Sequence, residues 1–175
     1  MNATEQANNP YLAGKISQLG SIFKQEFPEA KVDLAPWSTN NETQKYLDPD
    51  SIDVSFNFLG YKPDYEMNRT ILVQIRFSDN LWMDEAKILG IEMAGYNYKG
   101  QQWRLSTIGD WNCEGRNVPA SPIQIKIKNF CQNTLNLFQE EMAIKSSLNK
   151  LFSSDLPINS NIDPNDQVDN DEQSS

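Results

Sequence analysis

Ser21-Ile22-Phe23-Lys24 places a hydroxyl and an amine one helical turn apart. A neutral lysine at that spacing can take the proton of a serine attacking a carbonyl carbon. Ser147-Leu148-Asn149-Lys150 repeats the spacing, and Ser78-Asp79-Asn80 adds a second polar trio. Asp64, after Pro63, and the pair Glu85 and Lys87 have the composition of a metal-dependent hydrolase. There two carboxylates hold a divalent cation and the lysine assists the attacking water. Asp48, Asp50 and Asp53 form a third oxygen-rich cluster of the kind calcium takes.

Each of these readings is weakened by its surroundings. The chain has no histidine, the side chain most used for proton transfer and metal ligation near neutral pH. The serine-lysine pair and Ser78-Asp79-Asn80 resemble motifs of penicillin-binding proteins and class A β-lactamases, but no Lys-Thr-Gly follows and the chain is too short for that fold. Asp64, Glu85 and Lys87 resemble the P-D and E-x-K elements of a large nuclease superfamily, where E-x-K lies on an apolar core strand. Here Glu85 follows the strand-edge segment Asn80-Leu81-Trp82-Met83-Asp84. The aspartate cluster has Ile52 and Asp53 where a calcium loop needs its third ligand and its glycine. No catalytic residue, metal ligand or cofactor is therefore assigned.

Charge narrows the partners. The net charge is −9, but the 23 residues from Ser153 to Ser175 hold six acids and no base, leaving 18 acids against 15 bases in the body. A body so nearly balanced has no basic field for a phosphate backbone, so nucleic acid is not expected. Cys113 and Cys131, the only cysteines, are too few for a metal quartet and read as free thiols. With no leader pattern and no apolar run of membrane-spanning length, the expectation is a cytoplasmic protein without a membrane span.

The elements follow from periodicity. Asn9-Pro10 reads as an N-cap and first helical residue, with Leu12, Ile16, Leu19, Phe23 and Phe27 on one face before Pro28. Lys31 to Ala35 is a short strand candidate, followed by a polar loop from Pro36 to Asp50. From Ser51 to Leu59, Ile52, Val54, Phe56 and Phe58 alternate with polar residues, and Ile71, Val73, Ile75 and Phe77 repeat the pattern. A third run, Ala86 to Tyr98, turns Leu89, Ile91 and Met93 inward. A fourth, Gln101 to Trp111, turns Trp103, Leu105 and Thr107 inward. Ser121-Pro122-Ile123-Gln124 has the form of a capping box, and Ile127, Phe130, Cys131, Thr134, Leu135, Phe138 and Met142 continue at helical spacing. A short strand over Ile123 to Ile127 is the competing reading.

Strands with one apolar face require an antiparallel sheet covered on one side. The predicted fold is α+β: an antiparallel meander of four to five strands with N-terminal and C-terminal helices on one face. The domain is expected to span 1–152, with 153–175 a disordered acidic tail too polar to offset its ordering entropy. In outline this architecture resembles bacterial secretion chaperones and similar adaptor domains, a likeness that implies nothing about activity.

Two surfaces are candidates for recognition. Leu81, Trp82 and Met83 have the composition of an interaction hot spot at a hairpin tip. On the outward sheet face Asp53, Asn57, Arg76, Glu92 and Arg104 form a mixed polar set, for which cross-strand ion pairing on a solvated face is the plainer account. The leading expectation is a non-catalytic protein-binding, adaptor-like or chaperone-like domain whose partner is another protein, with self-association also open. The alternatives are a small-molecule site between helix and sheet lined by Trp103, Trp111 and Phe56, and a hydrolase built on Asp64, Glu85 and Lys87.

Overall fold

Alternation of apolar and polar residues settles which side of each strand is buried, and the register turns that alternation into a single apolar surface. The computed structural model describes residues 1–8, 10–38, 40–42, 44–58, 70–78 and 86–153, with the backbone alone for 46 and 140–153. Its elements are α1 (Ala3–Gln6), α2 (Pro10–Glu26), β1 (Lys31–Asp33), a 3-10 turn at Gln44–Tyr46, β2 (Ser51–Asn57), β3 (Thr70–Phe77), β4 (Ile88–Asn97), β5 (Gly100–Ser106), β6 (Cys113–Gly115) and α3 (Ser121–Ser153). All six strands form one antiparallel meander in chain order. The expected four to five strands thus become six: β1 falls within the short strand candidate Lys31 to Ala35, and the three-residue β6 adds the other edge. Cys113 to Gly115 carries too little pattern to read as a strand, and β6 is recognisable only by its pairing with Trp103 to Leu105.

The inner face is continuous across the sheet. Val54, Val73, Met93 and Leu105 share one row, and Phe56, Ile71 and Trp103 belong to the next, with Gly95 between the last two. All the side chains of both rows are buried. On this face α2 lays Leu12, Ile16, Leu19 and Phe23, and α3 lays Ile127, Phe130, Cys131 and Phe138. The helix reading of Ser121 onward holds and the strand alternative does not. The cap differs: Ser121 is already helical, Ile123 and Gln124 donate their amides to the Ala120 carbonyl, and the Gln124 side chain donates to the Pro119 carbonyl at 2.7 Å. Asn9, read as the first cap, and the expected tail from residue 154 lie outside the described residues; α3 itself runs to Ser153.

Two bulges shift individual residues. Between Arg76 and Phe77 the pairing of β3 with β4 slips, so that Arg76 faces Gly90 while Phe77 faces Ile88. Leu89, expected inward, is consequently 55% exposed, and Ile88 packs on the core in its place. A second slip at Gly95 and Tyr96 buries Gln102 beneath the turn after β6, where Arg116 and Asn117 donate their amides to its carbonyl. Gly115 makes this crossing possible: its φ is +144°, and a Cβ there would run into the backbone of Gln102 and Trp103. β5 ends at Ser106 rather than running on to Trp111.

A polar trough on the outer sheet face

The outward face is not uniformly wet. β1 pairs with β2 only as far as Asp33, opposite Ser55, so the first half of β2 has an open edge. The N-terminal segment fills that edge: Asn2 bridges Asp53 in parallel, and the Asp53 amide donates to the Met1 carbonyl at 2.8 Å. α1 then turns over the same ground, with Ala3 buried and Gln6 donating to the carbonyls of Pro49 and Ser51. No apolar period announces this one-turn helix. Asn2 and Glu5 form a capping box at its start, the Asn2 amide donating to the Glu5 carboxylate three residues on.

Asp53, expected to be a surface residue, is therefore 4% exposed. Its Oδ2 accepts from the Met1 ammonium at 2.9 Å and the Trp37 indole Nε1 at 2.8 Å, and its Oδ1 accepts from Ser51 Oγ and Gln74 Nε2, each at 3.1 Å. A buried carboxylate with four donors is a structural centre, and it has no lone pair to spare for a ligand. Trp37 is held three ways, since its amide donates to Asn2 Oδ1 and its carbonyl accepts from Asn2 Nδ2, both at 3.0 Å. Trp37 is nevertheless 42% exposed.

Trp37 forms one wall of an open trough of about 620 Å³ across the outer face. The floor is built from two cross-strand rows. Gln74, Glu92 and Ser106 form one, and Leu72, Ala94, Arg104 and Glu114 the other. The far wall is the turn after β5, which presents Ile108, Asp110 and Asn112. Two backbone features hold that turn in place. Trp111 takes a left-handed conformation, φ 59°, with its ring packed against the core. A left-handed residue of this bulk costs about 1–3 kcal/mol, which the packing of the ring offsets. Gly90 leaves room for Ile108 to fold over the sheet; a Cβ at Gly90 would lie 2.7 Å from Ile108 Cγ1.

The five outward residues picked from the sequence divide accordingly. Glu92 and Arg104 line the trough. Asp53 lies buried behind its wall. Arg76 pairs with Asp48 at 3.0 Å, and Asn57 accepts from Thr70 Oγ1 at 2.7 Å, so both are engaged outside it. Within the trough Arg104 approaches Glu114 at 3.9 Å, both side chains mostly exposed, a separation that contributes little. Glu92 is exposed, and its side chain makes no hydrogen bond or ion pair with any described residue. Trp37 lies in the segment from Pro36 to Asp50 that reads as a polar loop, and the turn at Ile108 to Asn112 was not singled out. Neither has a local pattern that announces a site, because the two walls they form come from chain segments about 70 residues apart.

The other candidates fare differently. Leu81, Trp82 and Met83, and likewise Asp64 and Glu85, lie outside the described residues. Lys87, exposed, donates its amide to Ser78 Oγ. Phe56 and Trp103, expected around a pocket between helix and sheet, fill the core instead, Phe56 stacking on Phe23 at 3.5 Å. Trp111 packs against the same core. Both cysteines are free. Burial pushes the Cys131 thiol up to about 12, and burial also raises Cys113, partly offset by the positive charge of Lys128. The thiolate is the reactive form. Iodoacetamide at pH 8 is accordingly expected to leave Cys131 unmodified in the native protein and to modify it once urea unfolds the chain; native labelling of Cys131 at the rate of a free thiol, read by mass spectrometry, would contradict its burial. The sign for stability follows: Cys131 costs nothing below the ordinary thiol range, and as pH climbs from about 9 toward 12 the unfolded chain loses this proton first, so stability falls.

Among the described residues no group of three or more acids or cysteines could hold a metal ion, and no helix is long and apolar enough to cross a membrane. No curated protein and no solved structure matches the chain. A family model described as a domain of unknown function matches residues 4–140, a span that opens in α1, includes the whole sheet and both trough walls and closes within α3, and the chain belongs to that family.

Proposed function

We propose that this chain is a non-catalytic protein-binding domain, working in the cytoplasm, whose recognition surface is the trough on the outer sheet face. The observation that carries this reading is Trp37. An aromatic residue 42% exposed is held by its amide, its carbonyl and its indole N–H, so little conformational freedom is lost when a partner covers it. Ile108 on the opposite wall, 64% exposed, supplies a second apolar contact. The polar groups of the floor, between the Trp37 wall and a far wall that carries Ile108, give contact area together with register.

The test is affinity capture from the native host with wild type beside Ala94→Trp, which fills the trough floor, and Trp37→Ala, which removes a wall; circular dichroism checks that both variants are folded. Loss of the same recovered protein in both variants is the expected result. Recovery equal to wild type in both would overturn the trough as the binding surface. If Trp82→Ala alone abolished recovery, recognition would pass to the Leu81 to Met83 segment.

A further inference from the structure

We infer that the occupant of the trough is an extended segment of a partner protein that places a lysine or arginine over Glu92. The inference rests on the reading just given and adds the chemistry of the partner. Charge is its first support. The lining holds three carboxylates, Glu92, Asp110 and Glu114, against one guanidinium, Arg104. Arg104 is turned toward Glu114, and Asp110 accepts from Asn112, which leaves Glu92 at the centre of the floor with no described partner. A cation arriving there gains a charge-assisted hydrogen bond without breaking one. An acidic segment meets repulsion instead, which argues against this chain's own run from Ser153 to Ser175, with its six acids and no base.

Shape is the second support. From the Trp37 wall beside β2 to Glu114 on β6 is four strand spacings, about 19 Å, the length of about six extended residues. The trough crosses the strands rather than following one, so an occupant is read through side chains and not by adding a strand. The sheet edges agree, since β1 and β6 are three residues each and the open half of β2 is filled by Asn2. Leu72, Ala94 and the Trp37 ring then take apolar side chains flanking the cation. A small ligand would need a more enclosed and more apolar cleft than this open floor provides.

Selection of displayed random 12-residue peptides on the full chain tests the inference, followed by fluorescence anisotropy of the best labelled peptide. Enriched sequences are expected to carry lysine or arginine beside apolar residues. Glu92→Gln should weaken the selected peptide about tenfold and Glu92→Lys further still, while Arg104→Gln, which removes the one cation of the lining, should tighten it. Peptides without a basic residue that nonetheless lose binding in Ala94→Trp would overturn the basic partner and leave the trough reading intact. Binding unaffected by Ala94→Trp, or no enrichment at all, would overturn both. Argininamide binding as tightly as the peptide would also overturn the inference, by assigning the trough to a small amine.

Discussion

Phe23→Ala is expected to lower the free energy of unfolding by about 3–5 kcal/mol. Phe23 is fully buried on α2, and its ring lies parallel to that of Phe56 on β2, interplanar angle 4°, with centroids 3.5 Å apart. Phe27 stacks at 4.9 Å and Phe130 of α3 meets it edge-on at 5.1 Å. One side chain thus joins both helices to the sheet, and its removal leaves a cavity between three elements that cannot all close on it. Because α2 reaches the sheet mainly through this side, the loss should appear as a lower urea midpoint followed by far-ultraviolet circular dichroism. Phe23→Leu, which keeps most of the volume, should cost distinctly less. A Phe23→Ala protein within about 1 kcal/mol of wild type would show that the aromatic cluster is not the joint between the layers.

That joint was legible from the chain alone. Phe23 falls on the helical face with Leu12, Ile16 and Leu19, and Phe56 falls on the strand face with Ile52 and Val54, so two periods point the same residues inward. The same rule misplaced Leu89, because a bulge inserts one residue into the count and reverses everything beyond it until the register recovers. β1 lies within the short strand read at Lys31 to Ala35, whereas the three residues of β6 are shorter than the period needed to recognise a strand. β1 and β6 are defined by the neighbours to which they hydrogen-bond, which is long-range information.

The site was legible only in part, for a related reason. Glu92 and Arg104 were found because outward positions on a strand can be counted. What makes them part of a trough is the pair of walls, and each wall is a loop anchored by an interaction distant in sequence. Trp37 hangs on Asn2, 35 residues away, and on Asp53, 16 away. Ile108 rests over Gly90 on another strand. No local spacing encodes such closures. The alternation that correctly set Asp53 outward could not reveal that the chain's first residues would cover it.

Asp53→Ala is expected to destabilise the fold by about 3 kcal/mol and to loosen a trough wall that Asp53 does not itself line. The carboxylate accepts from the Met1 ammonium, the Trp37 indole, Ser51 and Gln74. Without it, the Trp37 indole and the Gln74 amide lose the acceptor they have here, while Ser51 Oγ and the Met1 ammonium keep the Asp48 carbonyl, in a place where Ser51 is fully buried and water has little access. The Met1 ammonium, 29% exposed, can recover part of its solvation, which keeps the cost below that of a fully enclosed pair. Asp53→Asn should fall between, since the amide retains an acceptor oxygen but turns an N–H₂ toward other donors and carries no charge for the ammonium. Urea denaturation measures the first effect. The second is read by hydrogen exchange at the Trp37 amide, which donates to Asn2 and should exchange faster as the Met1 to Gln6 segment releases from β2. Faster exchange at Trp37 together with weaker binding of a trough-selected peptide would tie the buried carboxylate to recognition through the wall it fixes. An Asp53→Ala protein within about 0.5 kcal/mol of wild type, with Trp37 exchange unchanged, would mean that the wall holds without its central acceptor.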